Sequence, residues 1–400
     1  MADLSTGNGT AVARVLIQGA GIGGLALAIA LARRGVQVDV IEGAGRAAVF
    51  GVGLNQPANA LAVLDTLGVR DACLAAGFPF EDLVFWNPAG DVVAAIPPPA
   101  GRYGRPSNNA IGRPAYFDIL TEAAIAAGAR VETGRTVVEI EDSADGVDVE
   151  IGTWKGRHEE PERTPGGDRR RYDLLVGFDG ARSRIRGHLF GDRYQPEYTG
   201  SGVWRATIPR PDYLTEIVVA MGPRNTKAVL TPISDDQMYF ALVTPEPGNP
   251  RHAPEDFVRL FRERTSFFSG RLGELRDAVT DESTRVYTPL ESVLVREPWF
   301  AGRVVIAGDA AHTAPPHLSQ GAAMALEDAV TLAEALDGAL DLNAALSAWY
   351  ERRLDRVAFV SDMSLALLRS ETGAALTPED EALLALGVPG AQARIAQESY

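Results

Sequence analysis

The chain has 400 residues, 46% hydrophobic and 23% charged, a composition that suits a globular protein of about two to three domains with a large core. Its formal net charge of −15 argues against nucleic acid or an anionic membrane as the main partner, since both need a basic surface. The single cysteine, Cys73, excludes an intrachain disulfide framework and reads as an apolar filler on an alanine-rich helix, and five histidines without ligand spacing give no metal motif.

Residues 1–10 are polar and lack the basic start of a secretory signal. The apolar run that follows is interrupted by Gly19, Gly21, Gly23 and Gly24, so it reads as strand, turn and helix rather than a bilayer span. A cytoplasmic protein is expected. Residues 12–18 form a buried-strand pattern, 25–34 a helix closed by Gly35, and 36–41 the next strand, giving a βαβ unit at the start. A short helix over 59–67 ends at Gly68. Residues 84–86 and 92–96 read as a hairpin around Asn87-Pro88-Ala89-Gly90, and helical pattern returns over 115–127.

Strands are predicted over 131–140 and 146–154, a flexible surface loop over 155–171, and a buried strand over 174–178. Four strands then follow in an antiparallel meander, at 202–208, 217–221, 227–232 and 237–244. Helices are expected over 254–264, 270–279, 321–336 and 344–368. The last of the buried-strand runs, 304–307, enters Gly308-Asp309. Residues 369–400 read as a C-terminal tail with helical character, of which 378–400 is open between a packing helix, a dimer element and a disordered segment. The predicted fold class is α/β: a Rossmann-like domain assembled from residues 1–78, 107–190 and 285–368, with a mostly antiparallel β substrate domain inserted as 79–106 and 191–284.

Three motifs carry chemistry. Gly19-x-Gly21-x-x-Gly24 lies between a strand and a helix. There the first glycine permits a tight turn, the second lets backbone approach a pyrophosphate, and the third allows close helix–sheet packing. The helix N-terminus presents its positive end to the phosphates. Glu42 ends the next strand, 18 positions after Gly24, where a carboxylate can take ribose hydroxyls. Asp179-Gly180, followed by Arg182, Arg184 and Arg186, ends a second buried strand. Gly308-Asp309 ends a third, followed by Pro315-Pro316 and the helix opening at Gly321, whose first-turn N–H groups are free to meet negative charge.

Taken in order and spacing over residues 12–368, these motifs resemble the three fingerprints of the single-component (group A) flavoprotein aromatic hydroxylases, the p-hydroxybenzoate hydroxylase-like family. The resemblance implies bound FAD, with NADH or NADPH as a transient co-substrate lacking a Rossmann domain of its own. It implies hydroxylation of a small electron-rich aromatic or heteroaromatic ring by O2 through a flavin C4a-hydroperoxide. Gly19, Gly21 and Gly24 would face the pyrophosphate, Glu42 the adenosine ribose, and Arg113 and Arg46 the phosphates. Asp179 would serve FAD and NAD(P)H binding, Gly308 and Asp309 the ribityl and pyrophosphate region, and Gly321, Ala322 and Ala323 the pyrimidine edge. Pro316 would lie beside the reacting carbon. A monomer or homodimer is expected.

Four residues are candidates for the chemistry. His317 follows Pro316, and its imidazole there is placed to accept a phenolic proton. On the strand 202–208, Arg205 shares a face with Val203 and Thr207, and reads either as a carboxylate or phenolate anchor or as an exposed strand arginine. Tyr239 reads as packing or as a substrate contact, and Pro316 as a wall of the reaction site. His312, inside the third motif, reads as structural. Three rival functions stand beside the hydroxylase: a flavin oxidase or reductase that inserts no oxygen, a flavin-dependent halogenase, and a non-catalytic FAD-binding protein. The halogenase fits least, because Ala206 stands where that family's Trp-x-Trp signature needs its second tryptophan, and the only lysines are Lys155 and Lys227.

Overall fold

The computed structural model describes residues 11–44, 52–97, 106–156 and 159–398. Its first sheet has six strands in the order Phe300–Ala301, Val304–Ile306, Leu174–Gly177, Arg14–Gln18, Gln37–Glu42 and Arg130–Thr133. All neighbours are parallel except the Phe300–Ala301 edge. The inner strands are continuous apolar runs because both faces are covered. Helix Ile22–Ala32, buried from Gly23 to Leu31, packs against helix Gly321–Leu336. Parallel order decides the site. Gln18 pairs with Gly177 and Ile41, and Gly177 pairs with Ile306, so the turns at Gly19, Asp179 and Gly308 and the strand end at Glu42 share one sheet edge. That carboxyl edge is where open α/β sheets bind ligands.

A second sheet has seven strands in the order Arg285–Ser292, Glu197–Pro209, Gln237–Pro245, Thr226–Pro232, Ile217–Gly222, Leu83–Trp86 and Val92–Ile96. It is antiparallel except where Ile217–Gly222 meets Leu83–Trp86. One face buries Trp204, Ala206, Ile208, Ala228, Leu230 and Phe240 with Phe257 and Phe261 of helix Phe257–Arg264 and Leu272 of helix Gly270–Asp277. The opposite face packs Val203, Tyr239, Ala241 and Val243 against Val52 and Ala110. Strand alternation therefore puts Arg205, Lys227, Val229 and Thr231 on that second face as well.

Several expected elements differ. The strand 131–140 is two strands, Arg130–Thr133 and Arg135–Ser143, in different sheets, divided at Gly134, whose φ is +74°. The expected loop 155–171 contributes strands Glu162–Arg163 and Arg169–Tyr172 to a four-stranded sheet with Arg135–Ser143 and Gly146–Thr153. Arginines paired across that sheet with Glu139, Glu141 and Asp148 replace the apolar alternation that would have marked it. Strand Arg285–Ser292 pairs with Glu197–Pro209, so the division drawn at residue 284 falls after Ser292 instead. A small sheet of Gly53–Pro57, Asn108–Gly112 and Phe78–Phe80 gave no signal, since Asn, Gln and Pro stand where apolar alternation would be read. Beyond residue 368 the chain is helical: Leu342–Thr372, then Pro378–Leu384 opened by a Thr377/Asp380 capping box, then Gly387–Gln397, which sends Ala391 and Ile395 into the main core.

Candidate active site

The glycine turn is shaped for a close-lying anion. Gly19 has φ +108°, and a Cβ there would stand 2.2 Å from the Phe178 carbonyl oxygen. A Cβ on Gly24 would stand 1.9 Å from the Gly19 carbonyl oxygen, so both positions are closed to any side chain. A Cβ on Gly21 would meet nothing within 4 Å. The open space lies at the glycine whose backbone must approach a pyrophosphate, which is the fit FAD requires. Glu42 holds the turn as well as facing it: Oε2 accepts the Ala20 N–H at 2.9 Å and Oε1 the Ala44 N–H at 2.8 Å. Asp179 has a different occupation. Its Oδ2 accepts the N–H groups of Arg184 at 2.8 Å and Ile185 at 3.2 Å, at the start of helix Arg184–Phe190, while Oδ1 is buried without a partner among the described residues. Arg46 lies outside the described residues.

The third motif is anchored from behind. The Gly308 N–H donates to Asp328 Oδ2 at 3.0 Å, and His312 Nε2 lies 2.5 Å from the same oxygen. Asp328 Oδ1 accepts from Arg353 Nε at 2.8 Å. Glu327 joins Arg353, Arg356 and Asn59, and Asn59 also donates to Gln320 at 2.9 Å. Two carboxylates and two guanidiniums thus balance in the core behind the turn. Burial opposes charge on Asp328, but His312 and Arg353 outweigh it and hold its pKa down at about 2. Sequence reasoning found His312 structural and missed Glu327, Asp328, Arg353 and Arg356. Their signal was two adjacent acids inside the apolar helix 321–336.

In front of that anchor, Asp309 is exposed in the crevice, as is Arg113, the first residue of helix Arg113–Ala126. Desolvation in the crevice pushes the Asp309 carboxyl up, while His312 and Arg113 pull it down. Desolvation lowers the Arg113 pKa against the pull of Asp309 and Tyr239. Arg205 comes from the opposite wall, and burial with the repulsion of Arg113 pushes its pKa down to about 10. Among the described residues, neither guanidinium has an ion-pair partner within 4.0 Å. Tyr239, buried, donates to Asn55 Oδ1 at 3.4 Å, and Asn55 Nδ2 donates to Ser319 Oγ at 3.4 Å. Tyr239 and Arg205 share the sheet face that meets the Asn55–Ser319 contact, and Arg205 is half-buried rather than the exposed strand arginine of the alternative reading.

Residues Pro316–Leu318 form a single helical turn along the crevice, with Pro316 exposed. Ser319 turns left-handed at φ +56°, and helix Gly321–Leu336 begins, its first backbone bond closing from Met324 N to Gln320 O at 2.8 Å. The N–H groups of Gly321, Ala322 and Ala323 have no acceptor within the helix, and a Cβ on Gly321 would meet nothing within 4 Å. An electron-rich ring edge fits there. His317 points elsewhere than solvent: its side chain is 1% exposed, and Nε2 lies 3.1 Å from Glu371 Oε2. Lys227 Nζ reaches the same carboxylate at 2.6 Å. No group of three or more metal-ligating side chains occurs among the described residues, and none of their helices is long and apolar enough to cross a membrane.

A parallel sheet with an open glycine turn, a second acidic turn beneath a free helix terminus, and an antiparallel sheet closing the crevice define an FAD-dependent monooxygenase of the single-component aromatic hydroxylase type. The chain belongs to the FAD binding domain family, whose description matches residues 12–363. It is 34% identical over 360 residues to a putative FAD-dependent monooxygenase, YetM, of Bacillus subtilis (strain 168), covering 89% of this chain and 93% of that one. It is 29% identical to 3-hydroxybenzoate 6-hydroxylase 1 of Aquipseudomonas alcaligenes, over 92% of this chain and 94% of the relative. In fold it is similar to Klebsiella pneumoniae HpxO complexed with FAD and uric acid, with a TM-score of 0.78 at 21% identity over 95% of this chain and 92% of that one.

Proposed function

We propose that this enzyme uses NADH or NADPH and O2 to hydroxylate a small electron-rich aromatic or heteroaromatic ring that carries an acidic group. The observation that carries this reading is Arg205, a guanidinium without an ion-pair partner among the described residues, on the crevice face of the antiparallel sheet. Around it that face is apolar, with Val203, Ala241 and Val243 in its core and the partly buried Val229 beside them, and Tyr239 is a polar neighbour. A desolvated guanidinium of this kind orients a carboxylate or phenolate. FAD, when bound, supplies the electrons and the activated oxygen. Gly19, Gly21, Gly24 and Glu42 would hold its nucleotide end, Arg113, Gly308 and Asp309 its middle, and the N–H groups of Gly321, Ala322 and Ala323 its ring edge, with Pro316 as a wall. The chain's own task is to orient the substrate and exclude water.

The relatives support an acidic aromatic substrate, since 3-hydroxybenzoate 6-hydroxylase and 3-amino-4-hydroxybenzoate 2-monooxygenase are named among them. The parallel sheet and its helices would be the FAD unit and the seven-stranded sheet the substrate unit. The test is a panel of hydroxybenzoates, phenols and hydroxypyridines, scored for stimulated NAD(P)H oxidation and for product mass under labelled O2. One labelled oxygen atom in an organic product supports hydroxylation. Hydrogen peroxide as the sole oxygen-derived product, together with dehydrogenated substrate, refutes it.

A further inference from the structure

Ser319 and Gln320, the two residues before the free helix terminus, are each held by an asparagine from one short segment. Asn55 Nδ2 donates to Ser319 Oγ at 3.4 Å, and Asn59 Nδ2 donates to Gln320 Oε1 at 2.9 Å. Asn55 lies in strand Gly53–Pro57 and Asn59 in helix Ala58–Thr66, which packs on helix Gly321–Leu336. Ser319 has φ +56°, a left-handed conformation that persists in a non-glycine residue only where its neighbours hold it. The clasp therefore fixes the backbone at the point where the helix N–H groups become free.

The same bonds leave the Gln320 amide one orientation. Glu327 stands two turns further along the helix, on the same face. Its Oε2 accepts from Arg353 Nη1 at 2.8 Å and Arg356 Nε at 2.7 Å, and its Oε1 from Arg356 Nη2 at 2.8 Å. A carboxylate held by two guanidiniums only accepts, so Asn59 turns its NH2 group toward it, at 2.8 Å. That NH2 group also faces Gln320, whose amide oxygen must point inward to accept from it. The Gln320 NH2 group is left facing the other way. Gln320 is 4% exposed, yet its Nε2 has no partner among the described residues. It is not one of the sealed polar atoms that the core leaves unpaired, as His317 Nδ1 is, so it borders open space.

We propose that Asn59 is a positioning residue, which turns the Gln320 amide so that its N–H donors meet the negative charge the flavin ring edge gains on reduction. The proposal rests on the ring-edge placement proposed above. Gln320 is the N-cap residue of helix Gly321–Leu336, so its donors join the free N–H groups of Gly321, Ala322 and Ala323. Hydrogen bonds to a charged acceptor are stronger than those to a neutral one, so an edge held in this way favours the reduced ring. The acids behind the turn do not oppose this, because Arg353 and Arg356 match Glu327 and Asp328 in charge. Asn59 touches neither cofactor nor substrate in this scheme and acts through Gln320.

The reduction potential of the bound FAD, read by equilibration of the FAD-loaded protein with a reference dye, tests this. Gln320→Leu should disfavour reduction about tenfold, about 30 mV for a two-electron couple. Gln320→Glu should disfavour it further, since a carboxylate then stands where donors stood while Asn59 keeps an oxygen to bond. Asn59→Leu should shift the potential the same way. Because it acts through Gln320, the double variant should match Gln320→Leu alone. A residue that only holds the fold would lower the stability of the apoprotein in urea and leave the potential unchanged. That result, or shifts that add in the double variant, overturns the role of Asn59. Gln320→Leu leaves the Asn59–Glu327 bond in place, so an unchanged potential there overturns the proposal even if Asn59→Leu folds poorly. An unchanged potential in Gln320→Glu shows that the ring edge lies elsewhere, and the placement falls with the proposal. A shift in Gln320→Glu without one in Asn59→Leu keeps the placement and removes the proposal alone.

Discussion

Asp328 accepts the Gly308 N–H at 3.0 Å, tying the turn that presents Asp309 to a helix residue 20 positions later. The same carboxylate holds His312 and Arg353, so one buried side chain fixes the strand end, the short helix after it and the long C-terminal helix. Replacing Asp328 with Asn keeps the shape but leaves Arg353 short of one counter-charge. The expected cost is about 3 kcal/mol of stability, because an unbalanced buried charge is penalised more than the pair was worth. FAD affinity should fall with it. Urea unfolding of the apo and FAD-loaded forms would show both, and a variant as stable as the parent in each form would contradict this role.

The same residue sets an acid limit. Its folded pKa of about 2 lies below the ordinary 3.8, so the unfolded chain binds the proton more readily. Its contribution is fully present above pH 3.8 and is lost as pH falls through about 2. The contribution is about 2 kcal/mol at neutral pH. In Asp328→Asn the unfolding free energy should fall less steeply between those limits. An unchanged slope would show that other carboxylates carry the acid transition.

Two glycines in one turn should fail in different ways. At Gly24 an added Cβ falls 1.9 Å from backbone, so Gly24→Ala should destabilise the protein whether or not FAD is present. At Gly21 the added Cβ meets open space and φ is −74°, a conformation any residue adopts. Gly21→Ala should therefore melt like the parent without FAD and bind FAD at least about tenfold more weakly, a difference of about 1.4 kcal/mol. Thermal unfolding of the apoprotein and a flavin-fluorescence titration separate the two. Normal FAD affinity in Gly21→Ala would remove the pyrophosphate from that position.

Arg205 is expected to select acidic rings. Arg205→Met should lower kcat/KM for whichever acidic ring of the panel is turned over by about 10- to 100-fold, a charge-assisted contact being worth about 1.5–3 kcal/mol, while the corresponding uncharged amide loses little. Because burial and Arg113 bring its pKa down to about 10, the guanidinium is charged below that pH and anion preference should fade as pH rises through it. Equal losses for the acid and the amide would show a packing role only.

Much of the site was legible because it depends on local geometry. A tight turn, a close backbone approach and a free helix terminus each need particular residues in a short window, and Gly19 to Gly24 and Gly308 to Gly321 show those windows. Strand alternation also placed Arg205 opposite Trp204 correctly, since side-chain direction follows from a period of two. The small sheet around Asn109 was silent, because its buried side chains are polar and bonded across the fold, as when Asn109 donates to Gln56 and to the Cys73 carbonyl.

The sequence by itself determined the cofactor class, the βαβ start and the faces of the meander. Tertiary structure alone decided which residues meet. His317 and Glu371 are 54 positions apart, Lys227 and Glu371 144, and Gly308 and Arg353 are joined through Asp328. Such pairs are set by the order of parallel strands and by where the long helix ends. The physical reason is that an ion pair in the core has no period and no spacing along the chain. It is specified only when burial leaves each charge nothing else to meet.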